Sequence, residues 1–266
     1  MTERMPERGG VGRVTLVGGG PGSRELLTLG AVDALRRADV VLYDRLAPIA
    51  VLDEFCPGAL LIDVGKRPGH HAVPQDEIER MLVQHALTGA TVVRFKGGDP
   101  YIFGRGGEEV LACRRAGVPV EVIPGVTSAV AVPAASGIPL THRGISHAFT
   151  VISGHAPLTA SEFTHLAGLG GTIVVLMGVT ALPSLAPGLI AAGLAGDTPA
   201  AVIERGHRSG QRTTCAPLAE LPAAAARASV RSPAVIVIGE VVRLAVEGDL
   251  DADAVLRRAG EHVAAP

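Results

Sequence analysis

Three glycine-rich runs stand where a small polar ligand, or another stretch of backbone, can come close. They are Gly18-Gly19-Gly20-Pro21-Gly22, then Lys96-Gly97-Gly98-Asp99-Pro100 with Gly104, Gly106 and Gly107 soon after, and Pro124-Gly125-Val126-Thr127-Ser128. Each follows a β-branched run, so side chains are missing where a strand gives way to a helix and the backbone itself faces what approaches. The first run invites a dinucleotide fingerprint and fails it. With Gly18 and Gly20 as the first pair, the third glycine position holds Ser23, and Pro21 removes an amide from the loop that would cradle pyrophosphate. No Walker lysine follows. For any one run a tight turn alone is the plain alternative. Together, glycines, the hydroxyls of Thr127 and Ser128 and one carboxylate suit a cofactor bearing an amine or hydroxyls more than a chain of phosphates.

Lysine is rare: only Lys66 and Lys96 occur among 24 basic residues, both in glycine-rich stretches. A lysine kept where arginine is the habit suits a compact donor or a titrating amine, with chance placement as the competing reading. Asp44, Arg45, Lys66, Arg67, His70, His71, His142, Arg143 and His147 fall in expected loops, where the cations would welcome anionic substrate groups. For any one of these histidines or arginines taken singly, a solvated loop residue is the favoured reading. His70 and His71 do not make a zinc site, since adjacent side chains diverge and no thiol or carboxylate completes a set. No metal is expected.

The elements that must position these residues are short Val/Ile/Leu runs alternating with longer periodic segments, the rhythm of crossover units on a largely parallel sheet. Strands are predicted at Arg13 to Val17, Val40 to Tyr43, Leu60 to Asp63, Thr91 to Phe95 and Val120 to Ile123. In such a sheet the carboxyl ends of all strands share one rim, so the glycine runs would converge there. The clearest helix is Pro74 to Leu87, with Pro74 at its first position, acids in its first turn and a stripe of Ile78, Met81, Leu82 and His85. Prolines and glycines from 123 to 141 predict a short helix and then a break. The expected division is an N-terminal α/β domain over 12–140, a C-terminal α/β domain over 141–244 and a tail over 245–266. The second domain has strands near Phe149 to Ser153, Thr172 to Leu176, Ala200 to Glu204, Arg212 to Cys215 and Ala234 to Ile238, with more return connections and hence a mixed sheet.

Composition bounds the function. With 266 residues, 47% hydrophobic and 19% charged, the chain is neither disordered nor short of core. Aromatics at 3%, no Trp and a net charge of -2 argue against a nucleic-acid partner. Three scattered cysteines form no CxxC pair, which suits a reducing compartment. The first dozen residues lack an apolar signal core, and the expected location is cytoplasmic. Leu166 to Gly196 carries no charge and is long enough for a bilayer, yet its glycines, prolines and β-branched run read as a buried strand and helix, so no membrane association is expected.

The segments VTLVGGGPGSRELLTLGAVDALRRADVVLYDRL, VGKRPGHHAVPQDEI, VVRFKGGDPYIFGRGGEE, VIPGVTSAVAVPAASGIPLTHRG, VLMGV and SPAVIVIGEVV resemble, in order, those of the tetrapyrrole (class III) methyltransferases. YDRL, GKRPGHH and THRG are similar to the uroporphyrinogen-III C-methyltransferases within that family. The resemblance implies a two-domain, non-Rossmann α/β fold, with S-adenosylmethionine in the cleft between lobes, S-adenosylhomocysteine as its product, and a homodimer. It implies two methyl transfers to pyrrole carbons C2 and C7 of uroporphyrinogen III, giving precorrin-2 for sirohaem or cobalamin. By motif, the cofactor contacts are Pro21, Gly97, Gly98, Asp99, Ile102, Thr127, Ser128, Met177 and Gly206, with Asp44 as proton acceptor and Lys66 as proton donor. Arg67 and Arg143 are the preferred partners for the substrate's carboxylates. Ser23 departs from the family's usual Asp and is expected to cap the following helix. Little lies beyond the methyltransferase module, so a single activity is expected. The rival readings are a methyltransferase for a later precorrin, a nucleotide-binding oxidoreductase and a non-catalytic binding module.

Overall fold

The computed structural model describes residues 10–65 and 73–245. The chain divides into two compact units between Thr127 and Ser128.

The first unit runs β1 (Arg13–Gly18), α1 (Leu29–Arg36), β2 (Val40–Tyr43), α2 (Leu52–Phe55), β3 (Leu60–Asp63), α3 (Gln75–Leu87), β4 (Thr91–Lys96), α4 (Gly106–Arg115) and β5 (Val120–Ile123). Its sheet has the order β3-β2-β4-β1-β5 and every pairing is parallel. A parallel sheet is buried on both faces, which is why these strands read as continuous apolar runs. Side chains alternate between the faces. Val14, Leu16, Val40, Leu42 and Val92 pack under α3 and α4, while Val17, Val41, Val93 and Phe95 pack under α1 and α2. The strands therefore end at one edge, at Gly18, Tyr43, Asp63, Lys96 and Ile123.

Two helix starts differ from expectation. Ser23 leads only a single 3-10 turn and makes no cap bond, its hydroxyl turning instead to the Glu25 carboxylate. The cap of α1 is Thr28, whose hydroxyl accepts from the Ala31 amide at 3.1 Å. Pro74 is the extended residue before α3 (ψ 151), not its first helical position, and the deeply buried stripe is Ile78, Leu82 and Ala86, with Met81 and His85 on its flank.

The second unit runs α5 (Ser128–Ala135), β6 (Phe149–Ser153), α6 (Ala160–Leu169), β7 (Thr172–Leu176), α7 (Leu182–Ala191), β8 (Pro199–Glu204), β9 (Arg212–Pro217), α8 (Leu221–Arg227) and β10 (Ala234–Ile238). Its sheet is mixed, in the order β6-β7-β10-β8-β9, with β6 and β7 parallel and the other pairs antiparallel. The uncharged stretch is the end of α6, then β7 and α7: Leu182, Leu185, Ala186 and Leu189 cover Ile173 and Val175. No helix among the described residues is long and apolar enough to cross a membrane. Residues 128–140, expected with the first domain, pack in the second unit, where Ala129, Val132, Ile138 and Leu140 meet Val174, Ala201 and Ile203. Of the expected tail over 245–266, all but Ala245 lies outside the described residues.

Candidate functional site

The glycine turns after β1, β4 and β5 meet through their backbones. Gly20 and Gly98 exchange both amide–carbonyl bonds, at 3.1 and 2.7 Å, and the Gly19 amide donates to Lys96 O at 2.7 Å. The third turn is tied to the second by the Gly125 amide, which donates to Asp99 Oδ2 at 3.0 Å; Asp99 Oδ1 accepts from the Tyr101 amide at 2.8 Å. A Cβ on Gly18 would lie 2.3 Å from Gly125 N, and one on Gly125 would lie 2.3 Å from Gly98 O. These glycines admit neighbouring backbone. The amides a pyrophosphate cradle needs at Gly19, Gly20 and Gly98 are already bonded, which counts against a dinucleotide loop here.

A fourth loop joins them. Asp44, one residue past β2, accepts on Oδ1 from the amides of Leu46 (2.9 Å), Ala47 (3.1 Å) and Gly97 (3.3 Å). Its Oδ2 stands 3.7 Å from Arg94 Nη2. One oxygen thus holds the loop in shape while the other keeps lone pairs for a proton. A Cβ on Gly97 would sit 2.6 Å from the Leu46 carbonyl, so glycine is what lets the Asp44 loop lie against the second turn. Beside these polar groups Leu46, Tyr101, Ile102 and Phe103 are exposed. An edge of backbone and apolar side chains, with no free cation at Lys96, fits a nucleoside carrying a sulfonium better than one carrying phosphates.

Lys96 is not a loop residue. It ends β4 only 4% exposed, and its ammonium donates to both oxygens of fully buried Glu109, at 3.1 Å each. Burial pushes that ammonium below the ordinary lysine range, with Arg94 adding to the effect and Glu109 opposing it. Arg94, 4% exposed, donates from Nε to Glu109 Oε1 at 3.0 Å, and Gln75 reaches the same oxygen at 3.3 Å. Neither Arg94 nor Glu109 stood out in the motifs. A signal was present: alternation puts Arg94 and Lys96 on the Val92 face, which α3 and α4 cover, so two buried cations there require a carboxylate nearby.

Of the other expected residues, buried Pro21 and half-buried Thr127 belong to the first and third turns, and Ile102 follows the second. Lys66, Arg67, His70 and His71 lie outside the described residues. In the second unit Ser128 opens α5, and exposed Arg143 sits at the tip of a tight turn closed by the His142 amide donating to Ser146 O at 2.8 Å. Met177, just past β7, is 45% exposed and held at φ 57, a left-handed conformation that a residue other than glycine rarely adopts. Gly206 follows β8, where a Cβ would lie 2.5 Å from Val132 Cγ1 of α5. That turn is also pinned to α5 by His207 Nε2 on Ala131 O (2.8 Å) and by Gln211 Nε2 donating to Ala135 O (3.0 Å).

The chain is similar to known proteins. A sequence model of the tetrapyrrole (corrin/porphyrin) methylases matches residues 13–222. The chain belongs to that family. Among this methylase's relatives, an S-adenosyl-L-methionine-dependent uroporphyrinogen III methyltransferase of Methanosarcina barkeri is 49% identical over 89% of this chain and 94% of its own length. A siroheme synthase of Gluconacetobacter diazotrophicus is 47% identical over 87% of this chain, which spans 50% of that relative. A crystal structure of a uroporphyrin-III C-methyltransferase from Thermus thermophilus, complexed with S-adenosylhomocysteine, superposes with a TM-score of 0.75 at 45% identity, covering 88% of this chain and all of that one.

Proposed function

We propose that this methylase transfers methyl groups from S-adenosylmethionine to pyrrole carbons C2 and C7 of uroporphyrinogen III, giving precorrin-2 for sirohaem or cobalamin. The observation that carries the reading is that Asp44, the expected proton acceptor, is hydrogen-bonded to Gly97 of the second glycine turn. A base and a donor-binding turn held as neighbours are what a methyl transfer coupled to proton loss needs.

When bound, the cofactor supplies a methyl group already electrophilic on its sulfonium sulfur. The turns at Pro21, Gly97 to Asp99, Ile102 and Thr127 orient it, with Ser128, Met177 and Gly206 as the second unit's candidates. Asp44 Oδ2 takes the proton that the methylated macrocycle releases, since Oδ1 is occupied by three amides. Any proton that Lys66 gives to one ring position is matched by one lost from another, so that each transfer still releases one proton in net, and Arg67 and Arg143 pair with the substrate's carboxylates. We assign the working form as a cytoplasmic homodimer, to be checked by light scattering of the purified chain and by fractionation.

The test is to offer uroporphyrinogen III, and separately later precorrins, with S-adenosylmethionine and weigh the products. Uroporphyrinogen III should gain two methyl groups. Methylation of a later precorrin alone would replace this reading with that rival, and no methylation of any tetrapyrrole would leave a binding module.

A further inference from the structure

We propose that Arg94 is a positioning residue for this reaction: seated by Glu109, it holds the free oxygen of Asp44 in place to accept the proton. The inference rests on the reading of Asp44 as the base.

The seat is built from strand alternation. Val92, Arg94 and Lys96 point to the α3/α4 face, and the first turn of α4 brings Glu109 beneath them. Arg94 is fixed on three sides: Nε donates to Glu109 Oε1 at 3.0 Å, and Nη1 donates to the carbonyls of Leu42 at 3.4 Å and Phe95 at 3.3 Å. A planar fork held at two nitrogens has no rotation left. The remaining nitrogen, Nη2, then faces Asp44 Oδ2 at 3.7 Å. That separation exceeds a hydrogen bond. Arg94 therefore attracts and orients the carboxylate without occupying the lone pair that receives the proton. A direct fork-to-fork pair would have blocked it.

The arrangement also explains the second cation. Glu109 is fully buried and answers to both Arg94 and Lys96, while Asp44 supplies the other negative charge. Two cations face two acids, and Lys96 keeps Glu109 neutralised independently of Arg94. Arg94→Met accordingly leaves the Lys96–Glu109 pair intact below the site.

The experiment is a double-mutant cycle of Arg94→Met and Asp44→Asn, with Arg94→Gln, which keeps a donor toward Glu109, as a second variant of the same position. Turnover, S-adenosylhomocysteine affinity by calorimetry and the carboxyl-carbon resonance of Asp44 are read for each. Arg94→Met should lower kcat by about tenfold to a hundredfold, the usual penalty for misplacing a reacting group by about 1 Å. Cofactor-product affinity should stay within about twofold, and the Asp44 resonance should move in the protein without substrate. In the Asp44→Asn background Arg94→Met should slow the enzyme no further, because the group it acts through is gone. Parental kcat in both Arg94 variants, or losses that multiply in the double mutant, would overturn the inference. Parental kcat in Asp44→Asn alone would instead overturn the reading of Asp44 as base.

Discussion

Gly125→Ala probes the meeting of the turns at its tightest point. A Cβ there would lie 2.3 Å from Gly98 O and 2.7 Å from Gly18 Cα, both backbone atoms that cannot rotate away. Ordinary contact begins near 3.4 Å, so the third turn must retreat by about 1 Å and release the Gly125 amide from Asp99 Oδ2. Overpacking of this kind costs about 1–3 kcal/mol. The lost bond to an ionised acceptor adds about 1.5–3 kcal/mol. Local relaxation favours the lower ends, so we expect about 3 kcal/mol, or a fall of about 10 °C in the unfolding midpoint. Scanning calorimetry reads the midpoint, and titration calorimetry with S-adenosylhomocysteine should show affinity lost with it. Gly107→Ala is the control: nothing lies within 4 Å of its Cβ and it is exposed in the first turn of α4, so it should be neutral or stabilising by up to about 1 kcal/mol. A Gly125→Ala protein that melts and binds like its parent would refute the backbone contact between the turns.

Other expectations follow from the same geometry. Lys96 has a folded value below its unfolded one, so between the two the unfolded chain binds more protons and stability rises with pH as the burial penalty is relieved. Urea unfolding followed as the pH rises toward about 10.5, the ordinary lysine value, should show the parent gaining on Lys96→Met; a flat or falling difference would contradict the buried ammonium. Burial, with Glu109 and Glu79 adding to it, pushes the Cys113 thiol up to about 11. At about pH 8.5 iodoacetamide should label it only after unfolding, and mass spectrometry of the native protein showing rapid labelling would count against that. Arg143→Ala and Arg67→Ala should each raise KM for the tetrapyrrole by about tenfold, the worth of one charge-assisted bond, with S-adenosylhomocysteine affinity unchanged. Unaltered KM in both would remove them as carboxylate partners.

The central strands were legible because they are buried and demand apolar β-branched runs; Val40–Tyr43 and Thr172–Leu176 stand at their expected bounds. The convergence of the glycine turns followed from parallel topology alone. What the turns clasp first was not legible: glycine serves ligand and backbone equally, and only coordinates show Gly20 bonded to Gly98. The burial of Lys96 was not legible from its scarcity or its glycine neighbours, because it comes from the strand register that sets it on the Val92 face. Glu109 was hidden for a similar reason, since Gly-Gly-Glu-Glu reads as an exposed helix start. Residues 128–140 moved to the second unit because α5, apolar around most of its surface, carries no periodic stripe to say which sheet it faces.

Where the sulfonium donor binds is the most direct test of the glycine turns' role. Amide resonances of the labelled protein, followed during titration with S-adenosylhomocysteine, should move first and furthest at Gly20, Gly97, Gly98, Gly125 and Thr127. Saturable shifts confined to other parts of the chain, with those five unmoved, would contradict it.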